Sequence, residues 1–222
     1  MRYKFTDEEL KKILKHLVIV VDTREQCNQH ILKYFEQKKI PYKIQKLDYG
    51  DYGAYLPVGS FKGQMRDIYF TDDFVVERKA NIDELANNFK DAKANINELK
   101  PEIAEYFIKN YGEKYLQKIL KCDYNRIKQE LTSMNKYDIK FVIFLEDLKF
   151  DEHLERHKYI SRYEPSTLKA RLNGLESEFR TTIRPIDKLY IGREIYRRIY
   201  SEVRNILVHK GFIENLEELE KC

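Results

Sequence analysis

The run Leu17-Val18-Ile19-Val20-Val21, which Asp22 ends, decides the fold. It is continuous, apolar and rich in β-branched side chains, a pattern that predicts a strand buried on both faces of a sheet. A second run of this kind, Ile139–Leu145, is followed by Glu146-Asp147. Segments with helical periodicity alternate with the predicted strands. The sequence therefore predicts one α/β domain, residues 1–222, with a central mixed β-sheet flanked by helices.

The spacing of apolar residues predicts the other elements. The further predicted strands lie at 41–48, 52–57, 74–79 and 181–184. The predicted helices lie at 6–16, 26–38, 81–93, 102–120, 124–134, 151–158, 165–179 and 187–209. Thr6 and Glu9 have the spacing of a capping box, which marks the start of the first helix.

Composition excludes several classes of protein. The chain has 222 residues, with 41 Lys and Arg against 37 Asp and Glu, and its formal charge of +4 says little about partners. Its apolar and aromatic content is too high for a disordered chain. The longest apolar run has five residues, so we expect no membrane span and no secretory signal. Three widely spaced cysteines argue against a disulfide framework and a cysteine-based zinc site, and they favour a reducing, cytoplasmic location.

Charged residues at the ends of predicted strands suggest a catalytic site. In the strand that ends with Glu77-Arg78-Lys79, side chains alternate, so Glu77 and Lys79 share one face and Arg78 points to the other. Asp51, at a turn before a neighbouring strand, adds a second carboxylate. Oxygen ligands of this kind suit Mg²⁺ or Mn²⁺, and a lysine beside them can orient the water that attacks a phosphodiester.

Each of these features also has an ordinary structural explanation. A Glu-Arg-Lys triplet at the end of a strand is usually a solvated turn, and Asp22-Thr23 could be only a helix cap. Gly50-Asp51-Tyr52-Gly53 could be only a turn, since turns favour Gly and Asp. The order, strand context and spacing of the three features together favour the catalytic interpretation.

In this arrangement the sequence resembles the XPF-type nuclease domain. The signature of that family, GD followed at a distance by ERKx₃D, is matched in full from Gly50-Asp51 through Glu77-Arg78-Lys79 to Asp83. The resemblance covers roughly residues 17–184. It implies the restriction-endonuclease-like core of the PD-(D/E)XK nucleases, and an endonuclease that cuts branched DNA such as flaps, forks and junctions.

The resemblance also implies roles for individual residues. Asp22, Asp51 and Glu77 would hold Mg²⁺ or Mn²⁺. Lys79 would orient the attacking water or stabilise charge that develops on the phosphate. Asp83 would hold Lys79 or Arg78 in place. The supporting residues implied around the site are Arg24, Glu25, Arg78 and Asp83.

Two segments depart from the family pattern. An apparent helical insertion at about 92–123 interrupts it, and the pattern resumes near Tyr124, where Arg126 and Glu130 are candidates for a helix that faces the site. Beyond residue 184, many relatives carry a tandem helix-hairpin-helix module, whereas residues 185–222 offer one helix and an acidic tail. Either the nuclease domain binds DNA alone, or a partner protein supplies the remaining contacts.

Three other features leave alternatives open. Arg193 and Arg197, interleaved with tyrosines, could track a DNA backbone or could only solvate an exposed helix face. The apolar stripe of the same helix could be core or a homodimer seam. His153 and His157 could share a metal, although a polar surface helix explains them better.

Three functions fit these residues. The first is a metal-dependent, structure-specific DNA endonuclease. The second is a non-catalytic member of the same fold that binds branched DNA or a partner protein, and the third is a DNA repair or restriction-type nuclease with another substrate. The presence of Asp22, Asp51, Glu77 and Lys79 together disfavours the non-catalytic alternative.

Overall fold

The computed structural model describes residues 2–87, 101–114, 116, 124–160, 163–210 and 212–213. The strands in these ranges are β1 (Arg2–Tyr3), β2 (Val18–Val21), β3 (Tyr42–Ile44), β4 (Tyr52–Leu56), β5 (Ile68–Tyr69), β6 (Phe74–Lys79), β7 (Lys140–Leu145), β8 (Ile183–Pro185) and β9 (Phe212–Ile213). The helices are α1 (Asp7–Ile13), α2 (Gln29–Gln37), α3 (Ile82–Asn87), α4 (Pro101–Tyr111), α5 (Tyr124–Lys136), α6 (Phe150–Glu155), α7 (Pro165–Phe179) and α8 (Ile191–Lys210).

The described strands form a mixed seven-stranded sheet in the order β3-β2-β4-β6-β7-β8, with β5 paired to β4. Strand β2 is parallel to β3 and antiparallel to β4, and β7 is parallel to β8. The short strands β1 and β9 pair with each other, separately from this sheet. The predicted α/β class, a mixed central sheet flanked by helices, is confirmed.

Both runs that predicted buried strands are buried. Ile19, Val20 and Val21 of β2 are at most 1% exposed, and every residue of 141–145 in β7 is at most 4% exposed. Burying one such side chain stabilises the fold by about 1.5–3 kcal/mol, so these runs supply much of the core.

The residues group into two compact units. The first is Met1–Val76 together with Gly192–Cys222, and the second is Glu77–Ile191. Strand β6 therefore begins in the first unit and ends in the second. The single domain expected over 1–222 stays a prediction.

Several predicted boundaries agree with the structure. Strand β6 and helix α7 have the predicted limits. The capping box also forms, because Thr6 Oγ1 accepts from Glu9 N–H at 3.3 Å while the Glu9 carboxylate accepts from Thr6 N–H at 2.8 Å. These elements depend on short-range sequence patterns alone.

Other predicted elements are shorter in the structure. The strand expected at 41–48 ends at Ile44, since the backbone of Leu47 bonds instead to the side chains of Asp22 and Arg24. The helix expected at 102–120 is interrupted at Gly112, which adopts a φ of +87°, and residues 113, 114 and 116 beyond it are again helical. Parts of the predicted 81–93 helix and of the 92–123 insertion lie outside the described residues.

The C-terminal helix begins at Ile191 rather than at 187, because the Asp187 side chain accepts from Leu189 N–H and closes a turn there. Its apolar stripe is covered by the chain itself: Ile195, Ile199 and Val203 are at most 1% exposed. This stripe is therefore core and does not provide a homodimer seam. A homodimer formed through another surface stays a prediction.

None of the helices in the described ranges combines the length and the apolar character needed to cross a bilayer.

Candidate active site

Asp22 ends strand β2 and is 2% exposed. Its Oδ1 accepts hydrogen bonds from the Arg24 backbone N–H at 2.6 Å and from Arg24 Nε at 2.8 Å. Its Oδ2 accepts from Arg24 Nη2 at 3.0 Å and from Leu47 N–H at 2.7 Å. Both oxygens are therefore engaged by protein donors.

These contacts set the protonation of Asp22. Burial raises the pKa of this carboxyl, but the hydrogen bonds from Arg24 and from Leu47 N–H outweigh burial and leave the pKa below its ordinary value. Arg24 Nη2 also donates to Leu47 O at 2.8 Å, so Asp22 and Arg24 together clamp residue 47 to the end of β2. Arg24 thus forms an ion pair with Asp22, one of the supporting roles predicted for it. The predicted contact of Asp22 with a metal stays a prediction.

Asp51 directly precedes β4, and its backbone is fixed on both sides. Its carbonyl accepts from Asp22 N–H at 2.8 Å, and its N–H donates to Val76 O at 2.9 Å. Glu77 is the next residue after Val76 on β6, and its predicted partnership with Asp51 in a metal site stays a prediction. Among the supporting residues, Glu25 Oε1 accepts from the buried Tyr52 hydroxyl at 3.4 Å.

Gly50 explains how Asp51 comes so close to β6. It has a φ of +68°, and a Cβ at this position would lie 2.9 Å from Val75 Cβ. Real Cβ atoms essentially never approach so closely, and the left-handed backbone costs other residues about 1–2 kcal/mol. A glycine is therefore needed at this point of the motif.

On β6, Glu77 and Lys79 form an ion pair. Lys79 Nζ donates to Glu77 Oε1 at 2.6 Å, and their side chains are 8% and 27% exposed, respectively. Both residues line a small cavity with a volume of about 20 Å³, and Glu130 of α5 lies on the same wall. The pair thus combines a buried ammonium with a carboxylate that solvent can reach.

Glu130 was a candidate for the helix that faces the site, and the structure brings it to the cavity of Glu77 and Lys79. The companion candidate, Arg126, belongs to α5, but its side chain lies outside the described residues. Its predicted contact with DNA stays a prediction.

Arg78 points away from Lys79 and forms a second ion pair. Arg78 Nη1 lies 3.1 Å from Glu146 Oε1, and the two side chains are only 2% and 1% exposed. Glu146 N–H also donates to Lys79 O at 2.9 Å, which ties the end of β7 to the end of β6. Sequence reasoning did not pair Glu146 with Arg78, although an acidic residue after a buried strand was a signal.

Asp83 lies in the first turn of α3 and is 6% exposed. Its Oδ1 accepts from Ile160 N–H at 2.5 Å, so it holds the segment that follows α6. The contact with Lys79 or Arg78 that the motif predicts for Asp83 stays a prediction.

A hard divalent cation fits the donors of the motif, since Asp51 and Glu77 offer carboxylate oxygens. In the described ranges, no group of three or more His, Cys, Asp or Glu residues is arranged to hold a metal. Mg²⁺ in proteins commonly takes one or two carboxylates and completes its shell with water and substrate phosphate oxygens. The ligand set predicted from the sequence, Asp22, Asp51 and Glu77, stays a prediction.

The remaining candidates lie elsewhere. His153 Nδ1 is 2.7 Å from Asp147 Oδ2, whereas His157 follows the end of α6 with a φ of +50° and stacks on Tyr159, so the two histidines share no helix face. Arg193 and Arg197 both contact Glu194, at 2.9 and 3.6 Å. Binding of DNA by these two arginines stays a prediction.

The fold and the motif define a class: α/β domains in which a strand of a mixed sheet carries a carboxylate–lysine pair. The sequence also matches the ERCC4 domain family over residues 21–190. Since the match covers well over half of the chain, this protein belongs to the ERCC4 domain family, a family of structure-specific DNA nucleases. The resemblance to the XPF-type nuclease domain is confirmed.

Two solved structures are similar to this chain. One is XPF from Aeropyrum pernix, with a TM-score of 0.46, and the other is the same protein in a complex with DNA, with a TM-score of 0.48. In both cases the sequence identity is 14%, and the alignment covers 85% of this chain and 66% of the other. This chain thus spans slightly less than two thirds of those proteins. No curated protein matches the sequence.

Proposed function

We propose that this protein is a metal-dependent endonuclease that hydrolyses phosphodiester bonds in branched DNA, such as flaps, forks or junctions. The observation that carries the proposal is the Glu77–Lys79 ion pair, which stands in a complete family motif. The residue before Glu77 also accepts the backbone hydrogen bond of Asp51, which supports a common role for the two carboxylates.

Asp51 and Glu77 are the proposed ligands of Mg²⁺ or Mn²⁺. When bound, such an ion polarises the scissile phosphate and makes a bound water more acidic. Glu77 also orients Lys79, whose ammonium is 2.6 Å away and largely removed from solvent. A charge in such a place is screened weakly, so Lys79 stabilises a developing negative charge better than an exposed lysine would.

Asp22 and Arg24 act as positioning residues in this proposal. The four hydrogen bonds on the Asp22 carboxylate leave it little freedom to move. Asp22 N–H in turn holds the carbonyl of Asp51. The hydrogen bonds of Asp22 therefore fix the backbone from which the Asp51 side chain extends.

The test is cleavage of labelled flap, fork, four-way and linear duplex DNA by the purified protein with Mg²⁺ or Mn²⁺. We expect branched DNA to be cut, a chelator to stop the reaction, and Glu77→Gln to remove the activity while the protein stays folded. Absence of cleavage on every substrate with either ion would refute the proposal. Tight binding of branched DNA without cleavage would instead indicate the non-catalytic alternative, and cleavage of linear duplex alone a repair or restriction-type nuclease.

A further inference from the structure

A cavity of about 510 Å³ lies within the second unit, Glu77–Ile191. Its walls come from the start of α3, from α4, from the residues after β7 and from residues 153–160. Neither Glu77 nor Lys79 lines it. Its volume falls in the range of about 300–1,000 Å³ that is typical of sites for small groups and ligands.

The backbone places this cavity beside the end of β6. Ala80, which lines it, directly follows Lys79. Glu146 lines it as well, and its N–H donates to Lys79 O at 2.9 Å. A DNA strand whose phosphate lies at Lys79 would therefore have a neighbouring nucleotide within reach of the cavity.

Aromatic rings form much of the wall: Tyr106, Tyr111, His157 and Tyr159. The His157 and Tyr159 rings stack with their centroids 4.4 Å apart, and the Tyr159 hydroxyl donates to Tyr163 O at 2.7 Å. These contacts fix the orientation of Tyr159. Tyr106 is 57% exposed, so a ligand that arrives from solvent can reach its ring.

Two of the carboxylates on the wall are paired within the protein. Arg78 lies 3.1 Å from Glu146, and His153 Nδ1 lies 2.7 Å from Asp147 Oδ2. With these pairs formed, the rings define the ligand better than the charges do. A planar aromatic group without a charge of its own suits such a wall, because it stacks on the rings and needs no counter-ion.

Asn81 adds a hydrogen-bond donor to the wall. Its Oδ1 accepts from Glu84 N–H at 2.9 Å, which fixes the amide, whereas its buried Nδ2 has no hydrogen-bond partner in the part of the chain that the structure describes. Burial raises the pKa of Tyr111 and the nearby Asn81 amide offsets part of that shift, but the amide and the hydroxyl do not meet in hydrogen-bond geometry. An unused buried donor costs free energy, so an acceptor on a ligand is favoured here.

We propose that this cavity, which we name the aromatic cavity, receives the base of an unpaired nucleotide next to the phosphate that is cleaved. Every base has a flat face that stacks on tyrosine, and its edge carries acceptors for a donor such as Asn81 Nδ2. Stacking tolerates any base, so the aromatic cavity selects a base that has left the duplex and not a particular sequence. Since its ligand is DNA with unpaired nucleotides, this assignment rests on the proposed function, but it requires no catalytic step.

The experiment measures binding of flap DNA to the full chain in EDTA, where a metal-dependent nuclease does not cut. Single nucleotides near the branch point are made abasic in turn, which removes the base and keeps the sugar and the phosphate. We expect one abasic position to raise the dissociation constant of the wild-type protein about five- to tenfold, as loss of one stacking contact does. The fluorescent base 2-aminopurine at that position should be quenched when the protein binds.

Two variants and their controls locate the base. In Tyr106→Leu, at an exposed position, the abasic effect should shrink about three- to fivefold, because the ring on which the base stacks is gone. Asn81→Asp keeps the acceptor for Glu84 N–H and removes the donor, so it should also reduce the effect. Tyr106→Phe keeps the ring and should behave as wild type, as should Tyr137→Leu, which changes an exposed tyrosine outside the aromatic cavity. Glu77→Gln should remove cleavage and leave the abasic effect unchanged.

Three results would overturn the proposal. The first is the same dissociation constant for intact and abasic DNA at every position. The second is an abasic effect of wild-type size in both Tyr106→Leu and Asn81→Asp. The third is the absence of measurable binding to flap DNA.

Cleavage assays with Mg²⁺ or Mn²⁺ separate these results from the proposed function. Cleavage of branched DNA without any abasic effect would overturn the base site alone. An abasic effect that depends on Tyr106, in a protein that cuts no DNA, would support the base site and refute the endonuclease.

Discussion

The two faces of strand β6 carry two ion pairs with different environments. Arg78 and Glu146 meet at 3.1 Å, with both side chains almost completely buried. Glu77 and Lys79, one residue away on each side, meet at 2.6 Å, but more than a quarter of the Glu77 side chain is exposed. Similar charges on one strand can thus serve two purposes. The closed pair joins β6 to the end of β7, and the open pair is accessible to solvent through Glu77.

The largest expected effect tests the closed pair. Arg78→Met would leave Glu146 buried without its cation, and removing one partner of such a pair costs about 3–5 kcal/mol. We expect the free energy of unfolding, measured with urea, to fall by that amount. The double variant Arg78→Met, Glu146→Leu should recover most of the loss, because no charge is then stranded. A loss below about 1 kcal/mol in the single variant would show that the pair is not structural.

The next effect tests the open pair. Lys79→Ala should reduce the rate of DNA cleavage by about 10²–10³-fold, since loss of a preorganised charge at a reacting group has that size. Its free energy of unfolding should change much less than that of Arg78→Met, because Glu77 can be hydrated. Single-turnover cleavage and urea unfolding of the two variants make a matched comparison. Cleavage by Lys79→Ala at the wild-type rate would place the site elsewhere.

A third prediction concerns the carboxylate of Asp22, whose two oxygens both accept hydrogen bonds from the protein. Because its pKa is lowered in the folded state, its ionised form stabilises the protein above the unfolded value of about 3.9, and this contribution is lost as the pH falls through the folded value. Asp22→Asn should therefore be less stable than wild type at pH 7, by about 1–3 kcal/mol. The difference should shrink at pH 3. Urea unfolding at both pH values measures it, and a difference that grows in acid would contradict the assigned hydrogen bonds.

The smallest effect is expected for an ion pair open to solvent on both sides. Arg204 Nη2 lies 2.8 Å from Asp7 Oδ1, but the side chains are 43% and 76% exposed. Arg204→Ala should lower the free energy of unfolding by less than about 1 kcal/mol, and high salt should remove the difference. If Arg204→Ala lowered the free energy of unfolding as much as Arg78→Met does, burial would not explain the difference in strength between the two ion pairs.

Local patterns were sufficient to predict β6, α7 and the Thr6 capping box, because each depends on residues a few positions apart. The motif order likewise predicted that Glu77 and Lys79 share a face. The Arg78–Glu146 pair joins residues 68 positions apart, and the bond from Leu47 to Asp22 spans 25. Periodicity holds no information on such contacts. A cavity of about 510 Å³ in the second unit also escaped prediction, since its wall combines residues from segments 80–83, 102–111 and 146–160.

Gly50 and Gly59 both have left-handed backbones, but a library of all single substitutions should show opposite tolerance at these two positions. Gly59 has open space around the position of a Cβ, so asparagine or aspartate should be tolerated there. At Gly50 every side chain meets Val75 Cβ at 2.9 Å and the backbone oxygen of Val76 at 3.2 Å, and Val75→Ala removes neither atom. Position 50 should therefore reject every other residue, even in a Val75→Ala background, whereas position 59 should accept asparagine or aspartate.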